Sequence, residues 1–419
     1  MDKPARVLIR NRNSDLNARN RNLVNSNADG RISQDSQGNY YKMKTYKNLY
    51  PKLCSYKNLE KAFYKAKRNK PKKFYIKEFE KNLHENILEL KRDLETLRYK
   101  PAPLTKFTIH DPKTRVIRKS TFRDRVVHHA IVIILEPIFD KTFIFDSYAN
   151  RLNKGTTTAL KRYDSFKRKI SKNGTKIKNA FDNNSVKGYV LKADIRHFFD
   201  SVDQKILLDI ISKKIKDDKV LWLINNILKN FDNDRIGMPL GNMTSQFFAN
   251  LYLNPLDQFV KKRLNMKYYI RYVDDFVILH RDKKVLEDCK DKIIKYLMNL
   301  RLELHPEKSK IYSVYQGVNF LGFKTFYHHR LVRKRNVKLF LKRLKEFKEE
   351  YDEGYLPRGI LLEKLQGWFA YSVWGNSYKL RKKLVKITSE TFEFKEDKEI
   401  EKLNKIAKLL KTKKSVETE

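Results

Sequence analysis

Three aspartates carry the chemistry that this sequence advertises. Asp274 and Asp275 stand side by side in KYYIRYVDDFVILHRD, residues 267–282, between the apolar and aromatic runs Tyr268 to Val273 and Phe276 to Leu279. β-Branched and aromatic residues at alternating positions read as strand, so the acidic pair is expected at the tip of a hairpin. Adjacent carboxylates repel and resist joint ionisation unless a cation lies between them, which makes a divalent-metal site the chemical reading. A plain polar turn is the alternative, since Asp is common in hairpin turns, and a further carboxylate is needed to decide. GYVLKADIRHFFDSVD, residues 188–203, supplies one: a strand-like run delivers Asp194 where the apolar character ends. A helix-capping role competes for that residue. Taken together, Asp194, Asp274 and Asp275 suit a pair of Mg²⁺ ions about 3.5–4 Å apart, one activating an attacking hydroxyl and the other steadying a leaving phosphate.

Tyr272-Val273-Asp274-Asp275 resembles the YxDD box of reverse transcriptases, and Asp194 followed by Phe198 and Phe199 resembles their first catalytic motif. The resemblance covers roughly residues 46 to 383 and implies an α+β right-hand polymerase. In such a fold an antiparallel palm sheet has helices behind it, fingers before it in the chain and a helical thumb after it. By the same resemblance Asp194, Asp274, Asp275 and the backbone of Ile195 are metal ligands, Mg²⁺ is the cofactor with Mn²⁺ as a substitute, and Phe199 guards the sugar of the incoming nucleotide.

Other family positions follow. FTIHDPKTRVIR, residues 107–118, reads as a hairpin closed at Asp-Pro, and its Lys113 and Arg115 fit the cations that grip a dNTP, because fixed positive charge neutralises what develops on a transferring phosphate. Arg151, in SYANR, would contact template or nucleotide. Leu240 and Gly241, in GMPLGNMTSQ, would line the nucleotide, and Lys308 would lie near the leaving pyrophosphate. Phe320, Leu321 and Gly322 resemble the primer grip.

Most reverse transcriptases carry Gln where this chain has Leu240, and a Ser-Pro pair where it has Ser245-Gln246. GNMTSQFFANLYLNPLD, FRDRVVHHA and SYANRLNKGT are similar to the reverse transcriptases of diversity-generating retroelements, although Met243 replaces that subfamily's usual Gln. That resemblance implies copying of a template RNA with frequent errors opposite adenine, an RNA/DNA hybrid as product, and a small basic accessory protein as partner. A group II intron-type or antiphage reverse transcriptase, a template-directed RNA polymerase and a non-catalytic RNA-binding scaffold are the competing readings.

The rest of the chain must hold these residues in place. Its formal net charge of +43 implies a polyanionic partner, and an aromatic share of 12% supplies ring faces for stacking on bases. No apolar run approaches membrane-spanning length, and two cysteines, Cys54 and Cys289, exclude a disulfide framework, so a cytoplasmic setting and no membrane contact are expected. Residues 1–45, rich in Asn and Arg, read as a flexible arm and 396–419 as a charged helical tail; between them the resemblance implies fingers over 46–186, palm over 187–325, with 200–245 partly fingers, and thumb over 326–395. Within these, helices are expected from about Tyr46, over 76–97, from Asp124 to Leu135, from about Ile206 to Ile215, over 221–228, after a cap at Thr244 or Ser245, over 285–300, and over 337–347 and 360–374. Lys161 to Ser185 reads as a partly exposed connection. The doublet His128-His129 reads as packed or hydrogen-bonded, since adjacent residues face different sides of a helix.

Overall fold

The computed structural model describes residues 44–70, 73–110, 114–180, 182–231 and 235–393, together with the short strands β1 (Ile32–Gln34) and β2 (Tyr40–Lys42). These two strands pair antiparallel in a unit separate from the one beginning at Tyr46. Most of the Asn-rich arm, the tail from 396 and Lys113 lie outside the described residues.

Helices Tyr50–Cys54, Tyr56–Lys67, Phe74–Lys81 and Leu83–Glu95 open the main unit. Two expected long helices are each broken once. Ser55 ends the first and its hydroxyl accepts from the Asn58 amide to start the next; Asn82, outside helical geometry, divides the other. Strands β3 (Thr105–Ile109) and β4 (Arg115–Lys119) then form the anticipated antiparallel hairpin, followed by helix Phe122–Phe139.

The organising sheet contains β5 (Tyr189–Asp194), β6 (Tyr269–Tyr272), β7 (Asp275–His280) and β8 (Lys310–Ser313), in spatial order β6-β7-β5-β8 and antiparallel throughout. Strand alternation sends its side chains to opposite faces. Leu191, Ala193, Tyr269, Phe276 and Ile278 enter a large core with helices Phe122–Phe139, Met243–Gln258 and Lys283–Met298. Val190, Ile270, Val277 and Leu279 enter a second core on the other face.

That second core adds a layer on the face opposite those helices. It is closed by helix Thr156–Ile170, in a segment that composition marks as an exposed connection, and by a second antiparallel sheet of β9 (Val318–Phe320), β10 (Phe323–Thr325) and β11 (Arg330–Val332). Ala159, Leu160, Tyr163, Phe166 and Ile170 recur at helical spacing, but the basic residues between them hide the stripe. Lys167 of this helix is buried; its ammonium meets Asp164 at 2.8 Å and donates to the carbonyls of Phe326 and Tyr327, while Asp164 also pairs with Arg330. Helix and second sheet are thereby cross-linked.

Helices Lys334–Asp352, Arg358–Ser372 and Tyr378–Thr391 form a third core around Phe340, Leu344, Leu365, Phe369 and Leu384. Helix Met243–Gln258 starts one residue before the expected cap: Thr244 is buried in its first turn, and its hydroxyl meets Nδ1 of His128 at 2.6 Å. Burial pushes the His128 imidazole down to about 3, so it packs neutral. Cys54 and Cys289 are buried free thiols, and no described helix is long and apolar enough to cross a membrane.

Candidate active site

Pairing register makes the site. Asp194 closes β5 and stands directly opposite Asp275, the first residue of β7, so both carboxylates leave the same face of the sheet at one end of its two central strands. Tyr272 pairs with Asp275, leaving Val273 and Asp274 as a two-residue turn. Ile195 N–H donates to the Asp274 carbonyl at 3.2 Å, which ties the backbone beyond Asp194 to the turn. The Asp194 backbone is fixed in turn by His305 N–H, 2.7 Å from its carbonyl, and by Ser309 Oγ, 3.3 Å from both its amide and its carbonyl.

The three acids are not equivalent. Asp275 is engaged by the ammonium of Lys192, a diagonal neighbour on the same sheet face. Asp194, among the described residues, forms an ion pair with Lys308 alone, whose ammonium lies 3.8 Å from Oδ2. Burial and then the charge of Asp194 hold the Asp274 carboxyl above the usual carboxylate range, while Arg115 on β4 and Lys192 pull it down. Burial pushes Asp275 up to about 6 against the pull of Lys192. Burial is the larger cause of both shifts.

Among the described residues no three His, Cys, Asp or Glu side chains converge closely enough to enclose an ion by themselves. The arrangement still fits a hard divalent cation, because Mg²⁺ is commonly held by one or two carboxylates together with substrate phosphates rather than by a closed protein cage. Asp194 and Asp274 are near enough for their charges to act on each other, and two carboxylates are donors of that kind. Asp275 belongs to their supporting charge network.

The β3–β4 hairpin and the Leu240-Gly241 loop form one braced unit. Arg118 N–H donates to the Leu240 carbonyl at 3.0 Å, and Ser120 donates through its amide and hydroxyl to Asn242 Oδ1 at 3.2 and 2.9 Å. Gly241 has φ +113°, and a β-carbon there would lie 2.9 Å from Ile117 Cγ2, so this loop approaches the hairpin as only glycine permits. Arg115 is exposed at the mouth of the hairpin, and Leu240 is half-buried. Phe198 is buried, whereas Phe199, packed edge-on against it, is half-exposed at the rim of the large core.

Two sequence assignments change. Arg151 is not free to meet a nucleotide: its guanidinium binds Asp140 at 2.6 Å and the carbonyls of Ile144 and Ser147 at 2.8 and 3.0 Å, leaving the side chain 9% exposed. It staples its own loop. Phe320 is buried against Tyr163, so only the Leu321-Gly322 turn can face a strand end. The Gly322 carbonyl accepts from Tyr371 Oη at 2.7 Å.

Sequence reasoning missed the groups beneath the acids. Lys192 lies inside an apolar strand, and so does Arg271, which is 0% exposed and paired with an equally buried Asp257. A charged residue interrupting an apolar strand was the available signal, since a charge is tolerated there only with a partner.

The profile of the family described as reverse transcriptase (RNA-dependent DNA polymerase) matches residues 106–325. Among curated proteins, protein YkfC of Escherichia coli is 25% identical over 293 residues, covering 59% of this chain and 71% of that protein. The group II intron-encoded protein LtrA of Lactococcus lactis is 26% identical over 314 residues, covering 57% of this chain and 49% of LtrA, so the chain spans about half the length of that relative. Among solved structures, apo telomerase from Candida tropicalis aligns with a TM-score of 0.42 and 15% identity, over 80% of this chain and 72% of that one.

Proposed function

The chain belongs to the reverse transcriptase family of RNA-directed DNA polymerases, and from that premise we propose that DNA synthesis takes place at the corner between Asp194 and Asp274. The central sheet is then the palm, the β3–β4 hairpin with its neighbouring helices the fingers, and the three C-terminal helices the thumb. The observation that carries this is the approach of Asp194, Asp274 and Lys308 at one end of the central strands below the hairpin that bears Arg115. Divalent ions serve this family, and Mg²⁺ bound here would lower the pKa of the primer 3′-hydroxyl and offset charge on the α-phosphate. The protein's own groups align the partners. Arg115, with Lys113, holds the triphosphate; Leu240 and Gly241 floor the nucleotide; Phe199 crowds a 2′-hydroxyl; Lys308 meets the departing pyrophosphate; Leu321 and Gly322 seat the primer end.

The test is primer extension on an RNA template with dNTPs or NTPs. Extension with dNTPs that vanishes in Asp274→Asn supports the assignment; a fully active Asp274→Asn sinks it.

The finer reading is that the template is a retroelement repeat RNA copied with errors opposite adenine, an accessory basic protein assisting. Leu240 supports it: an aliphatic side chain where a hydrogen-bonding Gln is usual leaves shape to discriminate, and a loss of about 1.4 kcal/mol is already tenfold in selectivity. Misincorporation opposite template adenine should fall in Leu240→Gln, and an unchanged error rate removes Leu240 from the mechanism. The similarity to LtrA favours a second reading, an intron-type enzyme. Near-identical repeats differing at adenines beside the gene would favour the first, and flanking intron RNA the second.

A further inference from the structure

Val273, in the turn that presents Asp274, has φ +55°. For a β-branched residue this left-handed conformation is an outlier that persists only where surrounding structure imposes it. Among the described residues, one side-chain hydrogen bond reaches the strained unit: Arg271 Nη1 donates to the Val273 carbonyl at 3.1 Å. The same nitrogen donates to Asn250 Oδ1 at 3.1 Å, while Nε and Nη2 grip the two oxygens of Asp257 at 2.7 and 2.6 Å. Tyr269 Oη donates to Asp257 as well, at 2.7 Å.

Among the described residues, every hydrogen bond of this guanidinium therefore runs either to the turn or to helix Met243–Gln258. Asn250 and Asp257 are seven residues apart, two turns along one face of that helix, and the helix begins where the Gly237–Asn242 nucleotide loop ends. The outer strand edge is held too, since Arg271 N–H donates to the Asp146 carbonyl and its own carbonyl accepts from Tyr148 N–H. A buried ion pair gives little stability over well-packed apolar residues, so its value here lies in direction: a planar fork fixes two partners at once, which an ammonium cannot do.

We propose that Arg271, clamped by Asp257, is the positioning residue that locks the Val273-Asp274 turn to the helix leading from the nucleotide loop, so that the acid and the nucleotide floor share one reference frame. This rests on the reading of Asp194 and Asp274 as the reacting corner. Arg271 touches neither substrate nor metal; it acts through the turn.

The test uses the full chain with a primer hybridised to template RNA. The double replacement Arg271→Met with Asp257→Leu removes the lock while leaving no unpaired buried charge, and Arg271→Lys keeps the charge but not the fork. Hydrogen exchange of the 269–280 peptide, Mn²⁺ binding by electron paramagnetic resonance, and the kcat and KM of single-nucleotide addition are read on each. The expected result is faster hairpin exchange, weakened Mn²⁺ binding, and a kcat lowered about 100-fold at unchanged KM for the hybrid, the scale of a displacement near 1 Å. Adding Val273→Gly, which tolerates the turn without the lock, should recover about tenfold. Should the double variant fail to fold, Arg271→Lys alone decides. Wild-type hairpin exchange and kcat in a folded variant, or activity lost only in proportion to folded protein, overturns the proposal. Asp274→Asn separates the two readings: an active Asp274→Asn refutes the acid assignment, whereas wild-type exchange in Arg271→Lys refutes only the lock.

Discussion

Two tight turns in this molecule look alike and are held in opposite ways. Val273-Asp274 joins β6 to β7 and Leu321-Gly322 joins β9 to β10, each with two residues between paired strand ends. Each also places a bulky residue in the left-handed region, Val273 at φ +55° and Leu321 at φ +46°. The first is fixed by a wholly buried charge pair attached to one rigid helix. The second is fixed by neutral donors at its rim, Tyr371 Oη at 2.7 Å from the Gly322 carbonyl with Asn336 Nδ2 donating to that phenol at 2.8 Å. Beneath the turn proposed to carry the reacting acid, the fold uses groups too costly to leave unpaired; at the turn proposed to seat the primer end, it uses bonds that break cheaply.

The comparison is sharpened by removing one group from each side. The largest effect belongs to the acid itself: Asp274→Asn should lower nucleotide addition about 10⁴-fold, equivalent to more than 5 kcal/mol of transition-state stabilisation, with little change in melting temperature. Next comes Asp257→Ala, which strands Arg271 in the core and should cost about 3–5 kcal/mol in denaturant unfolding. A loss below 1 kcal/mol would erase the contrast between the turns.

Acid reaches the first turn's anchor by another route. His128 packs on Thr244 of the same helix, and its imidazole is held down to about 3 against an ordinary 6.5. As pH falls the unfolded chain takes up this proton first, so the stability present above pH 6.5 drains away below it, by about 2 kcal/mol at pH 5. His128→Gln should flatten that part of the pH–stability curve. The smallest effect belongs to the second turn: Tyr371→Phe should cost about 1 kcal/mol and shorten the products of primer extension while leaving the single-nucleotide rate nearly intact. An equal loss of rate would mean that both turns serve the chemistry.

Much of this was legible beforehand because the governing signals are local. Alternation along 268–280 and the Asp-Asp interruption predict β6, the turn and β7, and Gly188 to Asp194 predicts the partner strand. The β3–β4 hairpin and the helices from 122, 204, 283 and 334 follow from period and breakers. What escaped depends on tertiary partners. Helix Thr156–Ile170 hides a five-residue apolar stripe under basic neighbours, and only the second sheet explains why it is buried. Arg151, chosen by motif position, turned inward because Asp140 and two carbonyls were within reach. Arg271 and Asp257 are far from each other's hydropathic context, so neither announces the other in one dimension.

The cross-link made by Lys167, Asp164 and Arg330 has a consequence for how the enzyme would travel along nucleic acid. Because it rivets the second sheet to a helix lying on the first, the interval between the reacting acids and the seat at Leu321-Gly322 is set by the protein's framework. It behaves as a fixed gauge. Flexing of the three C-terminal helices would then leave the gauge unchanged and be felt at its far jaw, where Tyr371 Oη and Asn336 Nδ2 donate to the Gly322 carbonyl at 2.7 and 3.4 Å.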